Sequence, residues 1–246
     1  MRQFSTLIPY FISILLIFSC SSRDKQAIAI IEKSIEAHGG MNAWQDVQSI
    51  AMVRDIWMFD EAGNSESYIR QKNEFRFKPF FEAKMNWERD SILHRVHFDG
   101  VNTRYLMGEN EIQNEGFLQS KKRDMDAAFY VLTKPFDLLD ESKYIEYIGS
   151  EELPGGVSVE TVKVIDGDPS DPGTDIWWYY FDPKSFEIMA YKVKTSDHHS
   201  LVYNQGWDKT TGLLFPARRE SYRVDVEGSH LYQRAIYEYG TYEVTR

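Results

Sequence analysis

The sequence predicts a mainly β protein: a large antiparallel sheet of about eleven strands, with an N-terminal helix and a mid-chain helix covering one face. Three observations carry this expectation. Apolar residues recur at every second position through most of the chain, the period of a strand. Turn residues interrupt these runs at short intervals, which suits antiparallel neighbours and leaves no room for parallel crossovers. Only two segments, Asp24–His38 and Lys121–Thr133, carry the helical period instead.

The first residues read as a targeting segment. Arg2 supplies a positive start, and a mostly apolar run from Leu7 to Phe18 leads to Ser19-Cys20. That run is shorter than the ~20 apolar residues of a membrane-spanning helix, so residues 1–19 are expected to be a signal peptide. Ile17-Phe18-Ser19-Cys20 resembles a lipobox, in which the chain is cut before a cysteine that carries diacylglycerol. A cysteine is required there because its thiolate readily forms the thioether to the lipid. Cys20 is the only cysteine in the chain, so disulfides cannot staple the mature part and core packing must hold it. A chain of this size can bury roughly 70% of its unfolded surface.

From Asp24 to His38, Ala27, Ile28, Ile31 and Ile35 form one apolar stripe at helical spacing. Ser22 or Asp24 can cap its start, and Gly39-Gly40 supplies a left-handed stop. A short turn, Met41 to Gln45, carries Trp44, and Val47 leads into the sheet. Period 2 then marks strands at 49–59, 67–77, 83–89, 92–98 and 103–107, separated by Glu61-Ala62-Gly63-Asn64, Asp99-Gly100 and Gly108-Glu109-Asn110. The second helix presents Met125, Ala128, Phe129 and Leu132 on one side, and Pro135 ends it. Seven further strands are expected at 144–149, 157–165, 175–181, 187–193, 201–207, 217–226 and 230–239, again with turn chemistry between them. In Asp175–Asp182, Ile176, Trp178 and Tyr180 alternate with Trp177, Tyr179 and Phe181, so both faces are bulky. Such a strand is either central and covered by a helix, or one of its faces lines an apolar cavity. No linker composition or repeat divides the chain, so residues 20–246 are expected to form one domain.

The net charge of −10 argues against nucleic acid, which needs a basic patch. It argues equally against electrostatic adhesion to anionic lipid, so the acyl chains on Cys20 must carry membrane affinity. Ser21, rather than Asp, follows the cysteine, which points to the outer membrane. The poor acidic run in Ser21-Ser22-Arg23-Asp24 points to the periplasmic side.

Candidate chemistry is sparse. His38 stands in a last helical turn, where histidine caps carbonyls and suits the helix dipole. His198 and His199 are neighbours, and His94 and His97 are three apart, so each pair points to opposite faces of a strand. The loop with Asp166, Asp168 and Asp171 offers oxygen ligands of the kind Ca²⁺ takes, but without EF-hand spacing or a closing Glu. It reads as a solvated hairpin loop, with a metal site as the lesser alternative. No nucleophile elbow, phosphate-binding loop or dinucleotide fingerprint is present. An enzyme is therefore not the expected class, and no cofactor is expected.

Ile35-Glu36-Ala37-His38-Gly39-Gly40-Met41-Asn42-Ala43-Trp44, followed by Val47-Gln48-Ser49-Ile50, resembles the N-terminal signature of Gram-negative lipoproteins of unknown function. These have a Lol-like fold, similar to the periplasmic lipoprotein carrier and its outer-membrane receptor. Later segments agree in order: Phe129-Tyr130 to Leu139, Tyr179 to Pro183 with Tyr191, and Gly212 to Pro216. The resemblance implies an unclosed antiparallel half-barrel, with helices across its concave side and an apolar cavity beneath them. Trp57, Phe77, Trp178 and Tyr180 are the residues expected to line that cavity. A lipid anchor departs from the soluble carrier, so the resemblance implies a receptor or stationary binder. The expected function is a monomeric lipoprotein that binds an acyl chain or a lipoprotein's lipid moiety. A non-catalytic interaction scaffold and an envelope hydrolase are the alternatives.

Overall fold

A computed structural model describes residues 23–246; the leader and Cys20 lie outside the described residues. Helices α1 (Lys25–Ala37) and α2 (Met41–Gln45) precede six strands: β1 (Ser49–Phe59), β2 (Ser65–Arg76), β3 (Glu82–Arg89), β4 (Ile92–Phe98), β5 (Thr103–Met107) and β6 (Asn110–Glu111). Helix α3 (Glu115–Thr133) comes next. The second half contains β7 (Lys143–Leu153), β8 (Val157–Asp166), β9 (Ile176–Phe181), β10 (Ile188–Lys194) and β11 (His199–Asn204). It ends with a small pair, β12 (Trp207–Asp208) and β13 (Phe215–Pro216), then β14 (Arg218–Val224) and β15 (His230–Thr245).

Thirteen strands form one antiparallel sheet in the order β6-β5-β4-β3-β2-β1-β15-β14-β11-β10-β9-β8-β7. The first and last strands pair in the middle, and the sheet does not close. Its edges, β6 and β7, are neighbours in sequence, and α3 is the segment between them. The chain must therefore cross the whole sheet in one connection, and α3 makes that crossing over the sheet's inner face. Two-residue strands such as β6, β12 and β13 escape sequence reading because they contain no full period.

Helix α1 buries Ala27, Ile30, Ile31, Ser34 and Ile35. Ile28, expected on the stripe, is only half-buried, and Ile30 takes its place. Asp24, not Ser22, is the observed cap: its Oδ1 accepts from the backbone N–H of Gln26 and Ala27 at 2.8 and 3.1 Å. Its other oxygen accepts from the Tyr147 N–H of β7 at 2.9 Å, so one carboxylate starts the helix and ties it to the edge strand. The Tyr147 and Ala27 N–H groups together hold this carboxyl below its ordinary range. Asp24→Ala is expected to lower stability by about 1–2 kcal/mol, as N-cap losses do, measured by urea denaturation against the parent chain.

Helix α3 begins a turn and a half earlier than its apolar stripe suggests. Asn114 caps it by accepting from Phe117 N at 2.8 Å, and Met125, Ala128, Leu132 and Thr133 are buried. The main core lies between the helices and the inner face, where Ile31, Ile35, Met125 and Leu132 pack with Ile50, Met52, Phe75, Met85, Val162, Tyr179 and Phe181. A smaller cluster on the outer face contains Leu153, Val159, Tyr180, Ala190, Leu201 and Val224.

Candidate ligand-binding site

Of the four residues expected to line a cavity, only Phe77 is on the inner side. It packs against Trp44, Phe81 and Phe129, with ring centroids 5.5, 6.5 and 5.6 Å away. Trp57, Trp178 and Tyr180 are on the outer face, which corrects that expectation. In β1 the buried positions are Ile50, Met52, Arg54 and Ile56. Trp57 therefore points the other way, tilted against exposed Tyr68 at 5.3 Å. In β9 the inner set is Trp177, Tyr179 and Phe181, while Tyr180 and Trp178 join the outer cluster. Lys192 Nζ lies 4.5 Å over the Trp178 ring. A one-residue change of parity turns a whole strand over. Both sets in β9 are aromatic, so hydrophobicity could not choose between them. In β1 the period from Ile50 and Met52 did point to Ile56, but it runs through Arg54, a charge at a core position.

The acidic loop is a turn scaffold. Asp168 Oδ1 accepts from Ser170 N and Oγ at 2.8 and 2.7 Å, and Asp171 Oδ1 from Gly173 N at 2.8 Å. Asp166 lies 3.6 Å from Lys143 Nζ. Among the described residues no group of three His, Cys, Asp or Glu side chains stands where it could hold a metal ion. The histidines do not converge. His94 stacks on Trp87 at 5.1 Å, His97 meets Glu82 at 2.7 Å, and His198 bonds within its own turn at Thr195.

Beneath α3 the inner face is filled, and it is partly polar. Arg54 of β1 and Arg219 of β14 flank β15, opposite Tyr239 and Tyr237. They are 7% and 4% exposed. Arg54 Nε and Nη2 donate to Gln71 Oε1 at 2.9 and 2.7 Å. Arg219 donates to the Tyr239 hydroxyl at 3.1 Å and to that of Tyr191. Burial pushes Arg54 below the usual guanidinium value, opposed by Tyr239, Tyr237 and Asp124 of α3 and reinforced by Arg219. Burial also raises Tyr179 and Tyr242 well above the ordinary phenol value, against the pull of Arg219, so both stay protonated. Lys134 at the end of α3 is held down to about 8 by burial, although Asp137 stands 2.6 Å away. Tyr130, Lys134, Tyr179, Tyr191, Trp207 and Arg219 enclose only about 20 Å³. That is room for about one water, so the apolar cavity expected under the helices is replaced by packed side chains.

The apolar space lies beside α1 instead. A groove of about 720 Å³ has Ile35, Ala37, Met41, Leu139 and Phe186 along its walls, with Glu32, Lys33 and Glu36 at the rim. Phe186 sits at a φ of 58° in the β9–β10 turn, a left-handed conformation costing a large side chain roughly 1–2 kcal/mol. The turn imposes it: Asp182 Oδ1 accepts from Lys184 N and Ser185 N, and Phe186 N donates back to Asp182 O at 2.9 Å. Lys33 Nζ lies 4.6 Å over the Phe186 ring. Arg23 donates to the carbonyls of Leu139 and Asp140, pinning the chain just before α1 beside the groove. Sequence reasoning missed this groove because its walls come from α1, α2, the segment after α3 and a hairpin turn. No local pattern joins them.

By sequence, no known protein family and no curated protein matches the chain. Among solved structures it is similar to a DUF1329 family protein from Desulfovibrio piger, with a TM-score of 0.56 and 9% identity over 89% of this chain and 92% of that one. It is also similar to a LolA superfamily protein from Nitrosomonas europaea, with a TM-score of 0.54 and 11% identity over 89% and 94%. At these identities the likeness shows the fold, and the fold is Lol-like, as the motifs from Ile35 to Trp44 and after implied. Among the described residues, no helix is long and apolar enough to cross a membrane.

Proposed function

We propose that this Lol-like half-barrel is an envelope lipoprotein, anchored through Cys20 to the periplasmic side of the outer membrane, that binds the apolar chain of an amphiphile beside α1. The groove of about 720 Å³ carries this reading. Its size falls within the ~300–1,000 Å³ typical of ligand clefts, and its lining is mainly apolar, as such sites are. Each methylene buried there contributes about 0.8 kcal/mol, enough to hold an acyl chain by desolvation alone. The likeness to a LolA superfamily protein supports the same class of ligand, and the leader pattern ending at Cys20 supports the anchor. An anchored protein binds in place and does not ferry cargo.

Native mass spectrometry of protein purified from its own membrane is expected to show a diacylglyceryl mass on Cys20 and a co-purifying lipid. Leu139→Asp places a charge in the groove and is expected to weaken the neutral fluorescent probe N-phenyl-1-naphthylamine by about tenfold or more. No bound lipid, together with probe binding indifferent to Leu139→Asp, would overturn the reading. That result would favour a non-catalytic scaffold, a reading supported by the filled interior beneath α3.

A further inference from the structure

We propose that Arg219, backed by Arg54, receives the anionic head group of the amphiphile, a carboxylate or a phosphate monoester. The proposal rests on the binding role just described and adds the head-group chemistry.

The two guanidinium groups are each more than nine-tenths buried on the same face, either side of β15. Their hydrogen-bond partners, Gln71, Tyr239 and Tyr191, are all neutral. Among the described residues no carboxylate forms an ion pair with either. The contrast with the next residue is direct. Arg218, on the outer face, meets Glu220 at 3.0 Å and Glu238 at 2.6 Å. The chain thus places Glu220 one residue from Arg219 in β14 and Glu238 one residue from Tyr237, its partner in β15, yet both carboxylates are on the other face. Burying a cation without an anion is strongly unfavourable, and a second cation nearby adds repulsion. An arriving anion removes both penalties.

Two polar atoms at the site are also unused. Arg219 Nε and the Tyr130 hydroxyl are buried without a protein partner, and both residues border the space of about 20 Å³ under α3. A guanidinium edge suits the paired oxygens of carboxylate and phosphate. Lys134 borders the same space but is already paired with Asp137, and Asp124 of α3 acts on Arg54 without forming an ion pair, so Arg219 is the cation left without an anion. This space and the groove have walls from the same two segments. Ile188 borders one and Phe186 the other, and Lys134 and Leu139 divide likewise. A chain in the groove and a head at Arg219 would thus belong to one ligand, with the last turn of α3 moving to admit the head.

Dodecanol, dodecanoate and dodecyl phosphate share one chain and differ in the head. Titrating the full chain with each at pH 8, by calorimetry, is expected to show dodecanoate or dodecyl phosphate binding about tenfold or more tighter than dodecanol, the size of a charged hydrogen bond. Arg219→Gln is expected to bring the ratio of charged to neutral affinity close to one. If that variant fails to fold, Arg219→Lys keeps the charge without the fork and should reduce the ratio. Preference for the carboxylate identifies a fatty-acid-like head, and preference for the phosphate a phosphate-monoester head. Equal affinity for all three, or a ratio unchanged by either variant, overturns the anion site and leaves the groove standing. Binding of none of the three overturns both readings.

Discussion

Gly39→Ala is expected to destabilise the protein by about 3 kcal/mol or more, the sum of a left-handed backbone penalty and overpacking. Gly39 has a φ of 113°, and an added Cβ would lie 2.5 Å from the carbonyl oxygen of Gly212 and 3.0 Å from Leu213 Cδ2. The first of these atoms is backbone and cannot rotate away. The segment is anchored from both sides: Leu214 N donates to His38 O at 3.0 Å, and Leu213 is only 1% exposed. Relieving the clash would therefore lift the end of α1 from the core. A loss of this size lowers the melting temperature of a domain this long by roughly 6–12 °C. Gly63→Ala is the control, since Gly63 also has a positive φ, 81°, but nothing within 4 Å of its added Cβ. Equal losses in the two variants would show that the close approach at Gly39 does not limit the fold.

The second large effect is a pH dependence carried by His38. Its ring is fully buried, packs edge-on to Trp207 at 4.9 Å, and uses Nδ1 to bond Ser34 O at 2.7 Å. With the donor proton on Nδ1, protonation would add a charge at Nε2, which has no protein partner. Burial pushes this histidine down to about 4, only partly opposed by the Ser34 carbonyl. The unfolded chain takes up the proton near 6.5 and the folded chain only near 4. The unfolded state thus binds more protons in that window, and stability falls as pH falls through it. The full contribution is present above about 6.5 and amounts to about 3 kcal/mol, lost by pH 4. His38→Gln is expected to flatten the stability profile between these values in denaturant titrations. An unchanged slope would mean that His38 is charged in the folded protein. Of the two roles expected of it, His38 takes the cap, bonding the Ser34 carbonyl, and does so as a neutral ring and not as a charge on the helix dipole.

Much of the architecture is legible in neighbouring residues. The strand and helix periods, the turn at Asp182-Pro183-Lys184-Ser185 and the glycine stop after α1 all follow from local sterics and hydrogen bonding. The N-terminal part of α3 is less legible, because residues 115–120 include Gly116 and no sustained apolar stripe. The candidate site is the least legible part. Three of its four expected residues are on the outer face because face selection in β1 and β9 depends on what the sheet meets. In β1 the inward set contains Arg54, which reads as solvent-facing until Gln71 is placed opposite it.

The antiparallel β framework and its two covering helices follow from the order of residues alone, because period and turn chemistry are properties of adjacent residues. So does the His38-Gly39-Gly40 turn, whose backbone only glycine adopts readily. Long-range packing, by contrast, makes α3 the link between the two sheet edges and leaves the open apolar space beside α1. The same packing brings Arg54 and Arg219 together across β15. These outcomes depend on pairings between residues far apart in the chain, where strand order and register, not local preference, select each side chain's neighbours.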